Sequence, residues 1–419
     1  MNYLITLLFL LLSASANILS LSDISWFAIL LAMVIYAIGK KKLAQKDMKV
    51  VGLFMLVYLI YVAIRYVLNT ELFSMNLDTK FLISDVIFPF KYVLLSFIYV
   101  VILREKVMDY LVKVIVHLTI IGFVFYAMQL TLGDFIYNFS ESLGLPKANT
   151  IPGYTNFVLF SFTKGRHDYR NSGFVWEPGA YGCFLIIALF YNLLKDKFKF
   201  EKDSIILIVG IITTFSTTDY CALLILLFLA YRYRVPKLNL WILVMVPSIV
   251  LLILFVPFLG DKVAGIYTDD MDGLKHLKEI SQYHLKHNEQ IPLNRFASMS
   301  YIYDNMGSGL ILGVSNKYDE LLNTVYNVNI SNGIFDFLAK FGILGLFLLI
   351  YSYIKFCAAF LKKNEYIVYC VLILLVMSFG EPIMFLPLTL LFLFLPSITN
   401  IGKEEDGNAN KYGLPNLAR

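Results

Sequence analysis

Apolar runs close to the length of a membrane crossing recur along almost all of this chain. An α-helix needs about 20 apolar residues to cross the hydrocarbon core of a bilayer. Apolar residues make up 59% of the sequence and charged residues 16%, whereas charged residues make up about 25% of an ordinary soluble domain. The sequence therefore predicts an all-α polytopic integral membrane protein with a single transmembrane domain over residues 1–400.

Twelve of these runs are candidate transmembrane helices. They are residues 3–20, 24–39, 50–68, 82–103, 107–132, 173–194, 204–217, 219–232, 239–259, 333–355, 364–380 and 382–400. The first run ends in Ala14-Ser15-Ala16, which is similar to a signal-peptide cleavage site. Because no basic residue precedes that run, we interpret it as an uncleaved first helix.

Residues 204–232 are ambiguous, since they are too long for one simple crossing and short for two, with polar residues between Thr213 and Asp219. Basic residues concentrate on the cytoplasmic side of membrane proteins. Treating the stretch as a hairpin of two helices places all the basic clusters on one side. These clusters are residues 40–42, the turn at Arg104, and residues 195–202, 232–237 and 355–363. The prediction is therefore twelve helices with both termini cytoplasmic, and the same argument divides the last apolar stretch at Glu381.

Two connections, about 133–172 and 260–332, are much longer than the others and fall on the external side. Connections longer than about 15 residues are commonly functional or disordered. These two contain aromatic residues, glycines and amphipathic segments, so we expect them to be ordered. Residues 401–419 are polar and predict a disordered cytoplasmic tail.

Charge and metal-ligand patterns exclude several classes of partner. The formal charge of +5 comes from lysines in short loops beside helices, which topology explains without a nucleic-acid partner. The four cysteines all lie in apolar runs and form no CxxC pattern. Asp270-Met271-Asp272 is best explained as a solvated turn, and His284 and His287 lack a third ligand placed by spacing. We expect no metal and no cofactor.

Arginine usage points to an anionic ligand outside the membrane. Only eight of the 35 basic residues are arginines, yet Arg166, Arg170 and Arg295 all lie in the two external loops. The planar guanidinium group suits phosphate oxygens, and topology disfavours basic residues there. The alternative is that these arginines pair with nearby carboxylates or with lipid phosphates.

Two Glu-Pro pairs have both a structural and a functional interpretation. Glu177 precedes Pro178 at a helix start, where the helix dipole stabilises an acid. Its carboxylate could equally accept a proton from a sugar hydroxyl. For Glu381 before Pro382 the helix start is the favoured explanation.

Further charged residues lie inside the apolar runs. Asp336 and Lys340, four residues apart, are expected to neutralise each other. Arg65, Asp85 and Lys91 are candidates for interhelical pairs, or for lining a cavity.

The chain resembles a known family through four segments in a fixed order. Two begin with arginine and end with glycine twelve residues later, RNSGFVWEPGAYG at 170–182 and RFASMSYIYDNMG at 295–307. The third is SNGIFDFLAKFGILGLF at 331–347, and the fourth is the Thr/Ser-rich break at 213–219. Their order and topological placement resemble the Wzy-type O-antigen and capsule polymerases and the related O-antigen ligases.

The resemblance implies the GT-C class of membrane glycosyltransferases, in a bacterial inner membrane, without a metal. Its substrates would be polyprenyl-diphosphate-linked oligosaccharides on the periplasmic face, with membrane lipid, a chain-length regulator and a flippase as candidate partners. Ligases typically carry a histidine before the asparagine of the third segment, and Ser331 stands there in this chain. This favours a polymerase; a ligase and a lipid-linked-oligosaccharide flippase remain the alternatives.

The expected chemistry assigns roles to particular residues. Arg170 and Arg295 would converge on the departing diphosphate and stabilise its charge, while Glu177 would activate the acceptor hydroxyl. An apolar groove between helices would hold the polyprenyl tail. The candidate substrate-binding residues are Lys164, Arg166, His167, Tyr169, Asn294, Asn332 and Glu381.

Overall fold

The computed structural model of the protein describes residues 1–71, 77–145, 153–165, 168–235, 268, 271–277, 279, 291–322 and 328–399. The predicted helix at 239–259, the predicted tail, Asp270 and the pair His284 and His287 lie outside the described residues. The described part of the chain is mostly helical, as predicted.

The helices follow the apolar runs closely. They are α1 (Asn2–Ser13), α2 (Ile18–Leu21), α3 (Asp23–Gly39), α4 (Gln45–Glu71), α5 (Thr79–Phe88), α6 (Leu94–Leu103), α7 (Val107–Leu132), α8 (Asp134–Ser142), α9 (Pro178–Lys195), α10 (Lys202–Thr213), α11 (Thr217–Arg234), α12 (Arg295–Met306), α13 (Tyr318–Leu322), α14 (Gly333–Ala358), α15 (Asn364–Gly380), α16 (Pro387–Leu390) and α17 (Leu395–Ile398). A π-helical turn, Pro89–Val93, joins α5 to α6, and a 3-10 turn, Arg104–Lys106, joins α6 to α7.

Several of these helices have the length and apolar surface of membrane spans. The stretches Gln45–Glu71, Thr79–Leu132, Pro178–Lys195 and Gly333–Ala358 are long and apolar enough to cross a bilayer, and Arg104 divides the second of them with a φ of 51°. The outer face of α4 exposes a row of aliphatic side chains that includes Leu53, Ile60 and Val67. A soluble surface does not tolerate such a row, so it faces lipid.

The predicted hairpin at 204–232 is confirmed. Helix α10 ends at Thr213 and α11 begins at Thr217. The Ser216 side chain caps α11 by accepting a hydrogen bond from the backbone N–H of Asp219. The polar residues that interrupt the apolar stretch therefore form the turn between the two helices.

The prediction of one continuous helix over 382–400 is wrong. That stretch folds as α16, a 3-10 turn at Leu391–Leu393, and α17. Pro387 and Pro396 lie in the first turns of α16 and α17. Because proline has no N–H to donate to the preceding turn, each position starts a new helix rather than continuing one.

The structure also differs from the all-α prediction in the two long connections. Strands β1 (Tyr154–Phe157) and β2 (Phe160–Thr163) form an antiparallel hairpin. Strands β3 (Ile291–Leu293) and β4 (Val328–Ile330) pair in parallel. The second pair brings residues 291–293 and 328–330 of the second long connection together, directly before α12 and α14.

Helix α14 is broken at Gly342, whose φ of 65° is not helical. The break admits residues 311–314, since the N–H of Ile343 donates to the carbonyl of Ile311 at 3.0 Å. The carbonyl groups released from α14 find donors on α4, because Tyr61 donates to Phe341 and Arg65 donates to Lys340. A helix break at membrane depth requires such replacement partners.

The predicted buried ion pairs are present. Arg65 and Asp85 approach to 2.5 Å, and Asp336 and Lys340 to 2.9 Å. Lys91 pairs with an aspartate of α3 at 2.6 Å. Each of these charges therefore has an opposite charge beside it, as burial in an apolar region requires.

The basic clusters lie on one face of the protein. Arg104 donates to the carbonyl of Lys42 in the α3–α4 turn, and Lys195 pairs with Asp109 near the start of α7 at 2.8 Å. On the same face Arg234 covers the ring of Phe200, and Arg232 pairs with Glu365 at 3.1 Å. These contacts link the ends of α3, α6, α9 and α11 and the start of α15.

Candidate functional site

The N-termini of α9, α11, α12 and α14 converge at the face opposite the basic clusters. Helices α9 and α11 each run from this face to a basic C-terminal turn, and α15 runs back and ends here at Gly380. Helix N-termini carry unpaired N–H groups and a partial positive charge, which favours anions. Four of them at one place form an environment suited to a negatively charged group.

Glu381 lies at the centre of this convergence. Its Oε1 atom is 3.2 Å from Nη2 of Arg295 at the start of α12, and only 4% of its side chain is exposed. A Cβ at Gly179 of α9 would come within 2.0 Å of that Oε1 atom, and a Cβ at Gly333 of α14 within 2.1 Å of the Glu381 carbonyl oxygen. Glycine at both positions is what allows the two helices to begin against this residue.

Glu177 completes a pair of carboxyl groups. It is the N-cap residue of α9, and its side chain is hydrogen-bonded to that of Glu381. The indole Nε1 of Trp176 donates to Oε1 of Glu177 at 2.7 Å. Glu177 is half-buried whereas Glu381 is buried, so the pair has one partly exposed member and one enclosed member.

Burial raises the pKa of Glu381 well above its ordinary value, and the neighbouring carboxyl of Glu177 raises it further. The guanidinium of Arg295 acts in the opposite direction but does not overcome these effects. Two carboxyl groups in contact resist simultaneous ionisation because their negative charges repel. The site therefore favours the protonated form of Glu381 more than water does.

Arg170 reaches the site from the first long connection. Its Nε donates to the carbonyl of Thr214 in the α10–α11 turn at 2.9 Å. The backbone around it is held by Gln129 of α7, whose Nε2 donates to the Arg170 carbonyl at 3.0 Å. The side chain of Asn171 donates to Thr213 Oγ1 at 2.9 Å. The arginine is thus fixed at the start of α11.

Asp219 ties the two arginines together. Both Arg170 and Arg295 interact electrostatically with its buried carboxyl group. That carboxyl packs against Gly182 of α9, where a Cβ would come within 1.9 Å of Oδ2. Asp219 thus interacts with both arginines, whereas the direct ion pair with Glu381 is made by Arg295.

The sequence analysis assigned no role to Asp219, Gln129 or Tyr154. Tyr154 of β1 interacts electrostatically with Glu177, Arg170 and Glu381, which places the hairpin beside the site. Asp219 carried a usable signal, since it is a carboxylate at the start of an apolar helix with no basic residue within one turn. Gln129 and Tyr154 carry no comparable sequence signal.

Some predicted substrate-binding residues lie at or near the surface of the site. Tyr169 is half-exposed and packs its ring against Phe215 at 5.4 Å between centroids. Asn294 is exposed at the N-cap position of α12, directly before Arg295. Lys164 instead pairs with Asp134 of α8 at 3.1 Å. Arg166 and His167 lie outside the described residues.

Asn332 has a structural task. Its side chain is fully buried, and its Oδ1 accepts hydrogen bonds from the N–H groups of Ile334 and Phe335 at the start of α14. Its Nδ2 donates to the Arg295 carbonyl at 3.2 Å. The structure shows Asn332 capping α14 and holding the backbone of Arg295, and its contact with substrate stays a prediction.

An apolar groove begins about one helical turn from this site. It encloses about 590 Å³ between α4, α14 and the segment after α16, and its walls include Val57, Tyr61, Phe337 and Leu348. Phe337 lies four residues after Gly333, which abuts Glu381. An α-helix rises about 6 Å over four residues. The upper end of the groove is therefore close to the charged cluster formed by Glu177, Glu381, Asp219, Arg170 and Arg295.

Within the described residues, no group of three or more His, Cys, Asp or Glu side chains is placed to hold a metal ion. The positive charge available at the site comes from the two guanidinium groups and the helix N-termini. A ligand that suits this arrangement is anionic on one side and apolar on the other.

Comparison with known proteins gives one match. Residues 204–350 match the family model described as O-antigen ligase. No curated protein and no solved structure matches the chain. The matched residues include Asp219, Arg295 and Gly333, and thus much of the charged cluster. Residues 204–350 are therefore similar to the O-antigen ligase family, in agreement with the resemblance to the O-antigen ligase and polymerase superfamily inferred from the sequence.

Proposed function

We propose that this protein is a polysaccharide polymerase, which transfers a growing glycan from polyprenyl diphosphate to another lipid-linked repeat unit. The observation that carries the proposal is that Arg170 and Arg295 both interact electrostatically with the buried carboxyl group of Asp219, while Arg295 also pairs with Glu381. Two fixed guanidinium groups match the two phosphates of a diphosphate. The apolar groove beside them matches the lipid to which that diphosphate is attached.

The chemistry begins with a good leaving group. The bond that breaks joins the anomeric carbon of the donor glycan to a diphosphate oxygen, and the bond that forms joins that carbon to an acceptor hydroxyl oxygen. Negative charge grows on the departing diphosphate, where Arg170 and Arg295 stabilise it. Charge stabilisation of this kind is commonly worth about 3–4 kcal/mol per fixed donor, and it makes the proposed transfer independent of a metal.

Glu177 is the proposed general base. It is half-buried at the N-terminus of α9 and oriented by the indole of Trp176 at 2.7 Å. It takes the proton of the acceptor hydroxyl as that oxygen attacks. The polyprenyl chain lies in the groove beside Phe337, so that both substrates reach the site by diffusion within the membrane.

The proposed topology follows from the two faces of the protein. Basic loops mark the cytoplasmic side of a membrane protein, which assigns the face of Arg104, Lys195 and Arg234 to the cytoplasm and the charged cluster to the outside. Both termini then lie in the cytoplasm of a bacterium, in a GT-C type protein with twelve spans. Lipopolysaccharide O-antigen and capsule are the candidate products, and a chain-length regulator and a flippase the candidate partners.

The O-antigen ligase is the second candidate, because that is the description of the matching family. Ser331 favours the polymerase. In the ligases that this chain resembles a histidine typically stands there, whereas the Ser331 hydroxyl is engaged with the carbonyl of Leu293 at 2.7 Å. It supplies no base, and Glu177 is the carboxylate placed to do so.

The test is deletion of the gene, complementation, and separation of surface glycan on a gel. A polymerase predicts loss of the long ladder while single-repeat material remains. Loss of all attached glycan would identify a ligase, and accumulation of lipid-linked repeats on the cytoplasmic face would identify a flippase. With purified protein, elongation of a lipid-linked repeat in the absence of other enzymes checks the same activity directly.

A further inference from the structure

We propose that Glu177 and Glu381 hold one proton between them, and that this proton frees Arg295 from Glu381 so that it can bind the diphosphate of the lipid-linked donor. This inference rests on the proposed function and gives Glu381 a specific part in it. Glu381 acts through Arg295, so it is a positioning residue rather than a catalytic one.

The charges at the site require such a proton. The two guanidinium groups of Arg170 and Arg295 face three carboxyl groups, those of Glu177, Glu381 and Asp219. With every carboxyl ionised, two positive charges would meet three negative ones, and a dianionic diphosphate would be repelled. A proton shared by the glutamate pair removes one negative charge before the donor arrives.

The geometry gives that proton a defined position. The side chains of Glu177 and Glu381 are hydrogen-bonded to each other, and a hydrogen bond between two carboxyl groups needs a proton on one of them. The glycines at 179 and 333 close around Glu381 and leave its side chain 4% exposed. Ionising Glu381, the enclosed member of the pair, therefore costs more free energy than ionising Glu177.

Arg295 is placed to exchange partners. Its side chain is 35% exposed, so a ligand can reach it, and its Nη2 lies at 3.2 Å from Glu381. Its buried Nε has no hydrogen-bond acceptor among the described residues. An arriving phosphate can accept from Nε and from Nη2 together, in the bidentate geometry that guanidinium groups favour.

The other titratable groups that face Glu381 come from three elements. Cys183 of α9, Asp219 of α11 and Tyr154 of β1 all interact with it electrostatically, in addition to Glu177 and Arg295. Cys183 and Tyr154 are neutral in their ordinary forms. Asp219 is acidic, and its charge adds to that of Glu177 in favouring a proton on Glu381.

Donor binding should therefore depend on pH in a definite direction. Burial and the Glu177 carboxyl raise the pKa of Glu381, so the proton is present at low pH and is lost as the pH rises through that value. Above it, donor binding must take up one proton. The donor Kd then rises about tenfold for each pH unit.

The experiment measures binding of farnesyl-diphospho-N-acetylglucosamine to the full-length protein in detergent. The diphosphate of this diester does not titrate in the range used, about pH 6 to about pH 9. We expect a rising Kd for the native protein at the alkaline end of the range. Glu381→Gln should bind with a Kd that stays flat, because a carboxamide resembles the protonated acid and cannot ionise. Glu105→Gln, in the turn on the basic face, should keep the native pH profile.

Calorimetry of the native protein in two buffers of different ionisation enthalpy gives a second measurement that needs no variant. An uptake of one proton per donor bound at alkaline pH supports the proposal. Binding with a flat Kd and no proton uptake would overturn it while leaving the proposed function intact. Failure to bind the donor at any pH, together with absence of glycan elongation, would overturn both.

Discussion

Nη2 of Arg295 lies 3.2 Å from Oε1 of Glu381, although 86 residues separate the two in sequence. One belongs to the second long connection and the other to the break between α15 and α16. Since Arg295 remains 35% exposed while Glu381 is 4% exposed, the ion pair has an open side and a closed side. A ligand can approach only from the open side.

Replacing either arginine by lysine should reduce turnover strongly. Arg170→Lys and Arg295→Lys keep the positive charge but lose the planar fork, so the diphosphate loses a bidentate partner. Loss of one fixed donor to developing charge reduces kcat by about 10²–10³. The measurement is the initial rate of glycan elongation by purified protein. Arg234→Lys, on the basic face, is the matched control and should elongate normally; full activity in both site variants would contradict the bidentate role.

Gly179→Ala tests the close approach of α9 to Glu381. The added methyl group would meet the Glu381 carboxylate at 2.0 Å, so that carboxylate must move away from Arg295. Overpacking of this kind costs about 1–3 kcal/mol. We expect a lower melting temperature in detergent and weaker donor binding. Gly52→Ala in α4, where the new Cβ has no neighbour within 4 Å, should leave both unchanged. Equal behaviour of the two variants would argue against the packing described.

Two substitutions of Asn332 distinguish its role as the cap of α14 from its role in positioning Arg295. Asn332→Asp keeps the oxygen that caps α14 but loses the N–H₂ group that donates to the Arg295 carbonyl. Asn332→Ala loses both, and a lost N-cap costs about 0.5–2 kcal/mol. Thermal unfolding should show that the alanine variant is destabilised by the lost cap, while elongation assays should show that both variants are slower. Wild-type activity in Asn332→Asp would show that the contact to Arg295 is dispensable.

Substitutions in the Arg65–Asp85 ion pair should lower the stability of the protein without changing donor binding. Removing one partner leaves a buried charge, which costs about 3–5 kcal/mol. Arg65→Met and Asp85→Leu should each lower resistance to unfolding by sodium dodecyl sulfate. The double variant should recover only part of the loss, because the Lys340 carbonyl still lacks its Arg65 donor, and the donor Kd should change little in all three. A double variant weaker than both single variants would mean that the charges serve a purpose beyond neutralising each other.

Apolar periodicity and charge placement predict most of the helical framework. The hairpin at 204–232 follows from the basic residues at its two ends, because only two short helices place those residues on the face of Arg104. The pairs Asp336–Lys340 and Arg65–Asp85 are predictable because a charge in an apolar run needs a partner. Pro387 and Pro396 argue against a continuous last helix, because proline is tolerated in the first turn of a helix but not in its interior.

The contacts that make the site are beyond sequence reasoning. Glu177 and Glu381 are separated by nearly half the length of the chain, and their contact depends on the crossing of α9, α14 and α15. The Glu381-Pro382 pair predicts a helix start, whereas the structure places Glu381 directly after α15 and against the starts of α9 and α14. The sequence around Asn332 does not show whether this residue caps a helix or binds substrate. Both roles predict a polar residue directly before an apolar run.

The interruption of α14 at Gly342 has a mechanical consequence. The helical segment 333–341 is held at both ends by hydrogen bonds. At its start Asn332 donates to the carbonyl of Arg295, and at its end Tyr61 of α4 donates to the carbonyl of Phe341. Tyr61 also forms part of the groove wall. This segment therefore joins the groove wall to the backbone of Arg295 through one hydrogen bond at each end, so a shift of Tyr61 on filling of the groove would be passed along it toward Arg295.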